Sequence, residues 1–268
     1  MFAKYGCAAL IGAVAFAPAA RAADWYTGAP SEPAARGWSV GSAGANGWSG
    51  GYAPAPKFGA AVDVAVTADT KDSQFVTLIG TIAPFSGLEQ SGARLRLAGV
   101  LGQYSYIGGN GLGRVKGTQR DGSFMVGYEW VAERLTVAIY GGVNVTDNAL
   151  DKYDPLNGSA GRAIGAKIAG DFYYRPNAFV MISGVGSFSS AHSAYYARLK
   201  GGYAIARNVF IGPEMIVLGD NFFSQWRIGG HITGAKFGPV QIGASAGFLV
   251  DKVRGSGLYG ILDARVTF

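Results

Sequence analysis

Leu258-Tyr259-Gly260-Ile261-Leu262-Asp263-Ala264-Arg265-Val266-Thr267-Phe268 ends the chain on an alternation of period two. Leu258, Leu262, Ala264, Val266 and Phe268 fall on one side, with Gly260 among them; Asp263, Arg265 and Thr267 fall on the other. Successive side chains of a strand point to opposite faces, so the segment has one apolar and one polar surface. A strand of this kind, running to a terminal phenylalanine, suits the closing strand of an outer-membrane barrel, apolar toward lipid and polar toward a lumen.

The rest of the chain agrees. The N-terminus has a basic start with Lys4, an apolar run from Cys7 to Ala20, and the small-x-small triplet Ala20-Arg21-Ala22. Together these predict a cleaved export signal over residues 1–22. The only cysteine, Cys7, lies inside it, so the mature chain is expected to carry no disulfide and no thiolate chemistry. Removing Lys4 and Arg21 from the 23 basic residues leaves 21 against 17 acidic ones, a net charge of about +4. That excess is scattered, which excludes a nucleic-acid arm. No mature segment reaches the roughly 18 apolar residues of a spanning helix, so a closed barrel is the remaining way to cross a membrane. The 43 glycines, with abundant Tyr, Phe and Trp, point the same way.

Residues 23–57 are rich in Gly, Ala, Pro and Ser and carry Trp25, Trp38 and Trp48 without periodicity. They read as a flexible periplasmic segment, or as a plug folded into the barrel mouth. From Phe58 onward the pattern predicts twelve strands, at 58–68, 73–84, 93–107, 113–131, 134–147, 162–175, 178–190, 194–206, 209–219, 222–236, 240–251 and 257–268. An even count is what a single-chain bacterial barrel requires. Ala132-Glu133, Pro176-Asn177, Arg207-Asn208 and Gly238-Pro239 mark tight turns at every second connection. Longer connections, 108–113, 148–162, 189–193, 219–223 and 252–257, fall between them. This parity places both termini in the periplasm; the long connection 84–92 breaks it. The fold expected for 58–268 is therefore an all-β, transmembrane, antiparallel up-and-down barrel.

Face assignment adds chemistry. Leu97, Phe124, Trp130, Ile139, Ile164 and Trp226 share faces with other apolar residues and should meet lipid. Arg94, Arg96, Glu129, Lys167, Asp171, Arg198, Lys200, Arg227, His231, Asp263 and Arg265 take the opposite faces. A charge facing lipid at midplane costs a few kcal/mol, so this segregation is what a barrel must show. A soluble β-sandwich or lipocalin-like barrel shares the alternation. The terminal Phe268, the aromatics near strand ends and a charged fraction of only 15% oppose it.

The inward charges allow two readings. Arg94, Arg96, Arg198, Lys200, Arg227 and Arg265 face Glu129, Asp171, Glu214 and Asp263; they either cross-pair and fill a narrow lumen or line a mildly basic pore. Tyr104, Tyr106 and Tyr140 are candidate sugar-stacking surfaces. Gly243-Ala244-Ser245-Ala246-Gly247 matches a nucleophile-elbow pattern, with His231 and Asp263 near Ser245. An elbow needs a strand-to-helix turn, however, and Asp263 is misplaced to orient the histidine. His192 beside Ser190 and Ser193 reads as a solvated loop residue. No metal-ligand spacing stands out, and no cofactor is expected.

Several stretches resemble a known family. Gly92-Ala93-Arg94-Leu95-Arg96-Leu97-Ala98-Gly99 with Gly102-Gln103-Tyr104-Ser105-Tyr106 is similar to a block of the BcsS family, barrel-like proteins named for bacterial cellulose biosynthesis. So are Met125-Val126-Gly127-Tyr128-Glu129-Trp130, Tyr195–Tyr203, Ile211-Gly212-Pro213-Glu214 and Leu218-Gly219. The resemblance covers about 58–268; segment 24–57 departs from the family pattern. It implies a non-enzymatic component of a Gram-negative outer membrane that assists cellulose biosynthesis, export or surface presentation, with no catalytic residues to carry over. Arg94, Arg96, Tyr104, Glu129, Arg198, Lys200, Glu214 and Arg227 are the candidate lumen and glucan-contacting residues. Phe268 resembles the signal read by the barrel assembly machinery. The expected partners are membrane lipid, that machinery, and cellulose or its secretion components. The alternatives are a small general porin and an outer-membrane lipid or glycan hydrolase.

Overall fold

Thr, Val, Ile and aromatic residues in period two, as in Leu135-Thr136-Val137-Ala138-Ile139-Tyr140, favour extended backbone with two distinct faces. In the computed structural model, which describes residues 58–268, this pattern yields twelve strands. They are β1 (Gly59–Asp69), β2 (Ser73–Ala83), β3 (Gly92–Gly108), β4 (Gly113–Val131), β5 (Leu135–Leu150) and β6 (Gly161–Tyr174), followed by β7 (Val180–Ser189), β8 (Tyr195–Ala206), β9 (Val209–Gly219), β10 (Ser224–Phe237), β11 (Val240–Asp251) and β12 (Gly255–Thr267). Each strand pairs antiparallel with its sequence neighbours, and β12 returns to β1, closing the barrel. The expected strands all form, with ends shifted by three residues at most. The expected signal (1–22) and the Trp-bearing segment (23–57) lie outside the described residues.

Closure is carried by the segment that ends the chain. Ala61 pairs with Thr267, Asp63 with Arg265 and Asp69 with Tyr259. Phe268 continues the ladder: its N–H donates to the Ala60 carbonyl at 2.8 Å, and Ala60 N–H donates back at 3.3 Å. No helix among the described residues is long and apolar enough to cross a membrane. In hydrocarbon every backbone group needs an internal partner, which a closed ladder supplies.

The outer wall is apolar and the inner wall polar. Leu97, Phe124, Ile139, Ile164, Leu199 and Trp226 are exposed, whereas their neighbours in the strands, among them Arg96, Asp171, Arg198 and Arg227, are buried. Trp130, Tyr174, Phe179, Tyr203 and Phe237 are exposed toward the end that holds Phe58 and Phe268, here the proximal end. They form an aromatic girdle of the kind that marks a membrane interface. Tyr128 and Trp130 pack with ring centroids 4.9 Å apart. The barrel is a transmembrane one, with a tall side: β3 to β5 run 16 to 19 residues and β6 runs 14, whereas the remaining strands run 10 to 14.

Turn parity holds. Proximal connections are 132–134, 175–179, 207–208 and 238–239, with Asn208 and Gly238 at positive φ. Distal ones include 109–112, 151–160, 190–194 and 220–223. The distal connection before β12 is shorter than expected, because Gly255, at φ 75°, starts the strand two residues early. The proximal exception, 84–91, is long because it folds inward. Leu88 is 2% exposed and packs on Ala61 and Ala83.

Val143 is 57% exposed at the middle of β5, flanked by Phe124 and Ala166. Val143→Arg should therefore cost about 2–4 kcal/mol as a midplane lipid-facing charge, while Val143→Leu should be close to neutral. Equilibrium urea unfolding in phospholipid vesicles checks both; equal midpoints for the two variants would contradict the lipid-facing assignment.

Candidate functional site: a cross-braced lumen with a distal cavity

Every inward position on these strands projects into one narrow interior, so charged residues distant in sequence meet there. Near the proximal end Arg94 is 0% exposed, and its Nε donates to Glu129 Oε2 at 2.8 Å. Its Nη1 donates to Ser86 Oγ at 3.0 Å and its Nη2 to the Gln90 carbonyl at 2.5 Å. The arginine thus ties connection 84–91 into the barrel mouth. Toward the same end Tyr173, Met181 and Phe210 form an apolar cluster that fills the proximal interior further.

Two ionic groups cross the lumen above this. Arg96 on β3 pairs with Asp171 on β6 at 2.5 Å, donates to Tyr140 Oη at 3.0 Å, and lies 3.7 Å from the Tyr140 ring centroid. A Cβ on Gly127 would come within 2.5 Å of that ring, so only glycine there lets Tyr140 lie flat on the wall. Opposite, Arg198 on β8 pairs with Glu214 at 2.6 Å and Asp263 at 3.4 Å, and Lys200 reaches Asp263 at 3.8 Å. Ser245 and Tyr259 hydroxyls donate to Glu214 at 3.0 and 3.1 Å. Arg265 holds Asp63, its register partner, at 3.2 Å. A buried charge is tolerated only when paired and hydrogen-bonded, and these groups meet that condition.

Distal to these groups lies a cavity of about 310 Å³, at the low end of the range for ligand pockets. Arg96, Asp171 and Arg198 line it, and from the distal side so do Tyr104, Tyr106 and Phe222. The Tyr104 and Tyr106 rings stack 6.3 Å apart, and Phe222 lies 4.9 Å from Tyr106. A Cβ on Gly117 would meet the Tyr104 ring at 2.3 Å, a close approach that glycine alone permits. Connection 151–160 folds toward this cavity: Tyr106 Oη donates to Asp154 at 2.9 Å and accepts from Asn157 Nδ2 at 3.0 Å. Arg227 lies within 4.0 Å of Asp69, which Arg254 also approaches at 3.8 Å.

The residues singled out in the sequence therefore divide. Arg96, Tyr104, Arg198 and Arg227 line the cavity; Arg94, Glu129, Lys200 and Glu214 are built into the bracing. Each of the five basic residues in that set has a carboxylate within 4.0 Å, so the lumen wall presents neutralised pairs rather than a basic field. Tyr140, 1% exposed beneath Arg96, has no free face for a sugar. His231 pairs in register with Ser245, yet its Nε2 donates to the Gly201 carbonyl at 3.0 Å while Ser245 is held by Arg198 and Glu214. His192, at φ 54°, approaches the Gly161 carbonyl at 3.4 Å. Sequence reasoning gave no lumen role to Asp154 and Asn157, in connection 151–160, or to Phe222, which falls in connection 220–223 rather than in the expected strand 222–236. Asp63, the partner of Arg265, was not singled out either, although the alternation of β1 makes it inward-facing.

Arg198→Ala strands Glu214 in the interior and should cost about 3–5 kcal/mol in urea unfolding. Arg198→Met combined with Glu214→Leu should recover part of that loss, because an apolar pair of similar volume replaces a buried ionic one. A double variant no more stable than Arg198→Ala would count against the bracing.

Among solved structures, the KdgM porin shares 7% identity over 78% of this chain and 99% of its own, with a TM-score of 0.42. An outer-membrane channel from Pseudomonas putida F1 shares 12% over 80% and 96%, at 0.49. The transport unit of the autotransporter AIDA-I from Escherichia coli shares 8% over 79% and 89%, at 0.44. No curated protein matches the sequence. The model of one protein family matches residues 67–268, from the distal end of β1 through β12 to the final phenylalanine. The chain belongs to that family, cellulose biosynthesis protein BcsS.

Proposed function

We propose that this protein is a non-enzymatic outer-membrane barrel that assists cellulose production by holding a glucan segment at its distal mouth, with both termini in the periplasm. Family membership supplies the link to cellulose. The observation that carries the finer reading is the asymmetry of the lumen. Its proximal half is filled by Leu88, Phe210 and the Arg94–Glu129 pair, whereas its distal half holds a cavity lined by Tyr104, Tyr106 and Phe222. Aromatic rings suit the apolar faces of pyranose rings, and the hydrogen-bonding groups around them suit hydroxyls. Bracing across the lumen argues against threading of a polymer and favours end-capture or surface presentation.

Deleting the protein should change the amount or organisation of extracellular glucan; unchanged glucan would overturn the cellulose role. In purified barrel, Tyr104→Ala should weaken cello-oligosaccharide binding about fivefold, the loss of roughly 1 kcal/mol of ring contact. Titration calorimetry reads this directly. Steady conductance in planar bilayers, unaffected by cello-oligosaccharides, would instead favour the porin reading.

Phe268 enters the proposal as an assembly residue. It contributes two hydrogen bonds to the seam and exposes its ring at the proximal rim. Deleting Phe268 should reduce membrane-inserted protein severalfold, measured as the heat-modifiable folded fraction in isolated outer membranes. Normal insertion would remove it from the assembly role.

A further inference from the structure

The outer wall carries charge in one place only. On β1 to β3 and β7 to β12, outward positions are apolar, small or uncharged, as in Val62, Val64 and Val66 or Leu258, Leu262 and Val266. Charges appear outward on β4 to β6 alone, as Arg114, Lys116, Arg120, Asp147 and Arg162, all toward the distal end. Arg120, Asp147 and Arg162 are direct register partners and form one row across three strands.

The height of that row follows from the strand. Ten residues separate Trp130 of the proximal girdle from Arg120 on the same face of β4. At about 3.3 Å per residue and a tilt near 40° they span about 25 Å, the thickness of an outer-membrane apolar band. Immediately below the row, the outward residues of β3 to β6 are apolar or glycine, including Leu97, Phe124, Val143 and Ile164. Arg120 and Arg162 therefore stand at the headgroup level of the leaflet opposite the termini.

These cations are available. Arg114 is occupied by Asp72. By contrast Lys116, Arg120 and Arg162 are exposed, and none of their side chains has an ion-pair partner among the described residues, Asp147 included. Two strand spacings put the Arg120 and Arg162 backbones about 10 Å apart, so two long guanidinium side chains can converge on one phosphate from either side.

We propose that Arg120 and Arg162, with Lys116 above them, form a lipid-headgroup site on the outer wall of β4–β6 that binds the phosphates of a glycolipid in the distal leaflet. Charge complementarity chooses the occupant: a row with two cations free and one acid, resting on lipid-facing side chains, meets a phosphorylated headgroup whose acyl chains cover Phe124, Val143 and Ile164 below. The inference rests on the membrane orientation proposed above, but not on any glucan site.

The test uses the full chain folded in detergent micelles doped with diphosphorylated lipid A, dephosphorylated lipid A or phosphatidylglycerol, and reads the heat-modifiability midpoint against lipid concentration. Diphosphorylated lipid A should raise the midpoint, and its dephosphorylated form should not. Arg120→Gln combined with Arg162→Gln should weaken the apparent affinity about 25-fold, from roughly fivefold per basic residue, with the lipid-free midpoint unchanged. If the double variant folds poorly, Lys116→Gln alone should still weaken binding severalfold. Equal stabilisation by both lipid A forms, or by phosphatidylglycerol, would overturn the proposal, as would undiminished affinity in the variants. External labelling of connection 151–160 reads orientation separately, so a misplaced orientation and a missing lipid site give different results.

Discussion

Everything in this barrel depends on the ladder between β1 and β12. A sheet in hydrocarbon cannot leave an edge unpaired, because each orphaned N–H or C=O costs several kcal/mol where no water can reach it. The nine register pairs from Ala61–Thr267 to Asp69–Tyr259, and the two Phe268–Ala60 hydrogen bonds beyond them, remove that edge. Closure also fixes the facing of every other residue. A slip of one position at the seam would reverse the facing of one of the two strands, turning either Asp63 or Arg265 toward lipid and Val64 or Ala264 inward. The Asp63–Arg265 ion pair, which exists only in the observed register, makes such a slip costly.

Closing twelve strands creates a second constraint, on the inside. The interior is too narrow to leave many charges hydrated independently, so they must satisfy one another across the lumen. Arg96 meets Asp171 from β3 to β6, and Arg198 meets Asp263 from β8 to β12. Such pairs link non-adjacent strands and resist flattening of the barrel, a service that hydrogen-bonded neighbours cannot provide. Their presence also explains a composition that looked mildly basic without giving a basic lumen: each inward arginine or lysine singled out in the sequence has its own carboxylate.

Strand existence, facing and parity were legible because each follows from a local rule. Alternation in Leu135–Tyr140 or Leu258–Phe268 reports facing with no knowledge of partners, and tight turns such as Arg207-Asn208 report hairpins directly. Partner choice was not legible. Arg96 and Asp171 are 75 residues apart, and only the accumulated register of four strands brings them within 2.5 Å. The inward fold of 84–91 was equally hidden, since nothing in Pro84–Ser91 shows that Leu88 would find Ala61 and Ala83. The length of that connection was still informative: a loop too long for its side of the barrel had something to cover. Tyr140 shows the limit of residue-type reasoning, for an inward tyrosine offers a sugar nothing once an arginine occupies its face.

The two ends of the molecule follow from this division of labour. Proximal positions, where Phe58, Phe268 and short turns lie, are consumed by closure and filling: Phe268 on the seam, Leu88 in the mouth, Met181 and Phe210 in the core. Distal positions are released from that duty, since the tall strands β3 to β6 already exceed the length needed to span the apolar band. The surplus length is where sequence is free to vary in chemistry. Inside, it places Tyr104 and Tyr106 over the cavity; outside, it places Lys116, Arg120 and Arg162 above the lipid tails. Both features sit on strands that continue past the membrane, so a polymer at the mouth and a headgroup at the wall would be held on one rigid run of strands, β3 to β6.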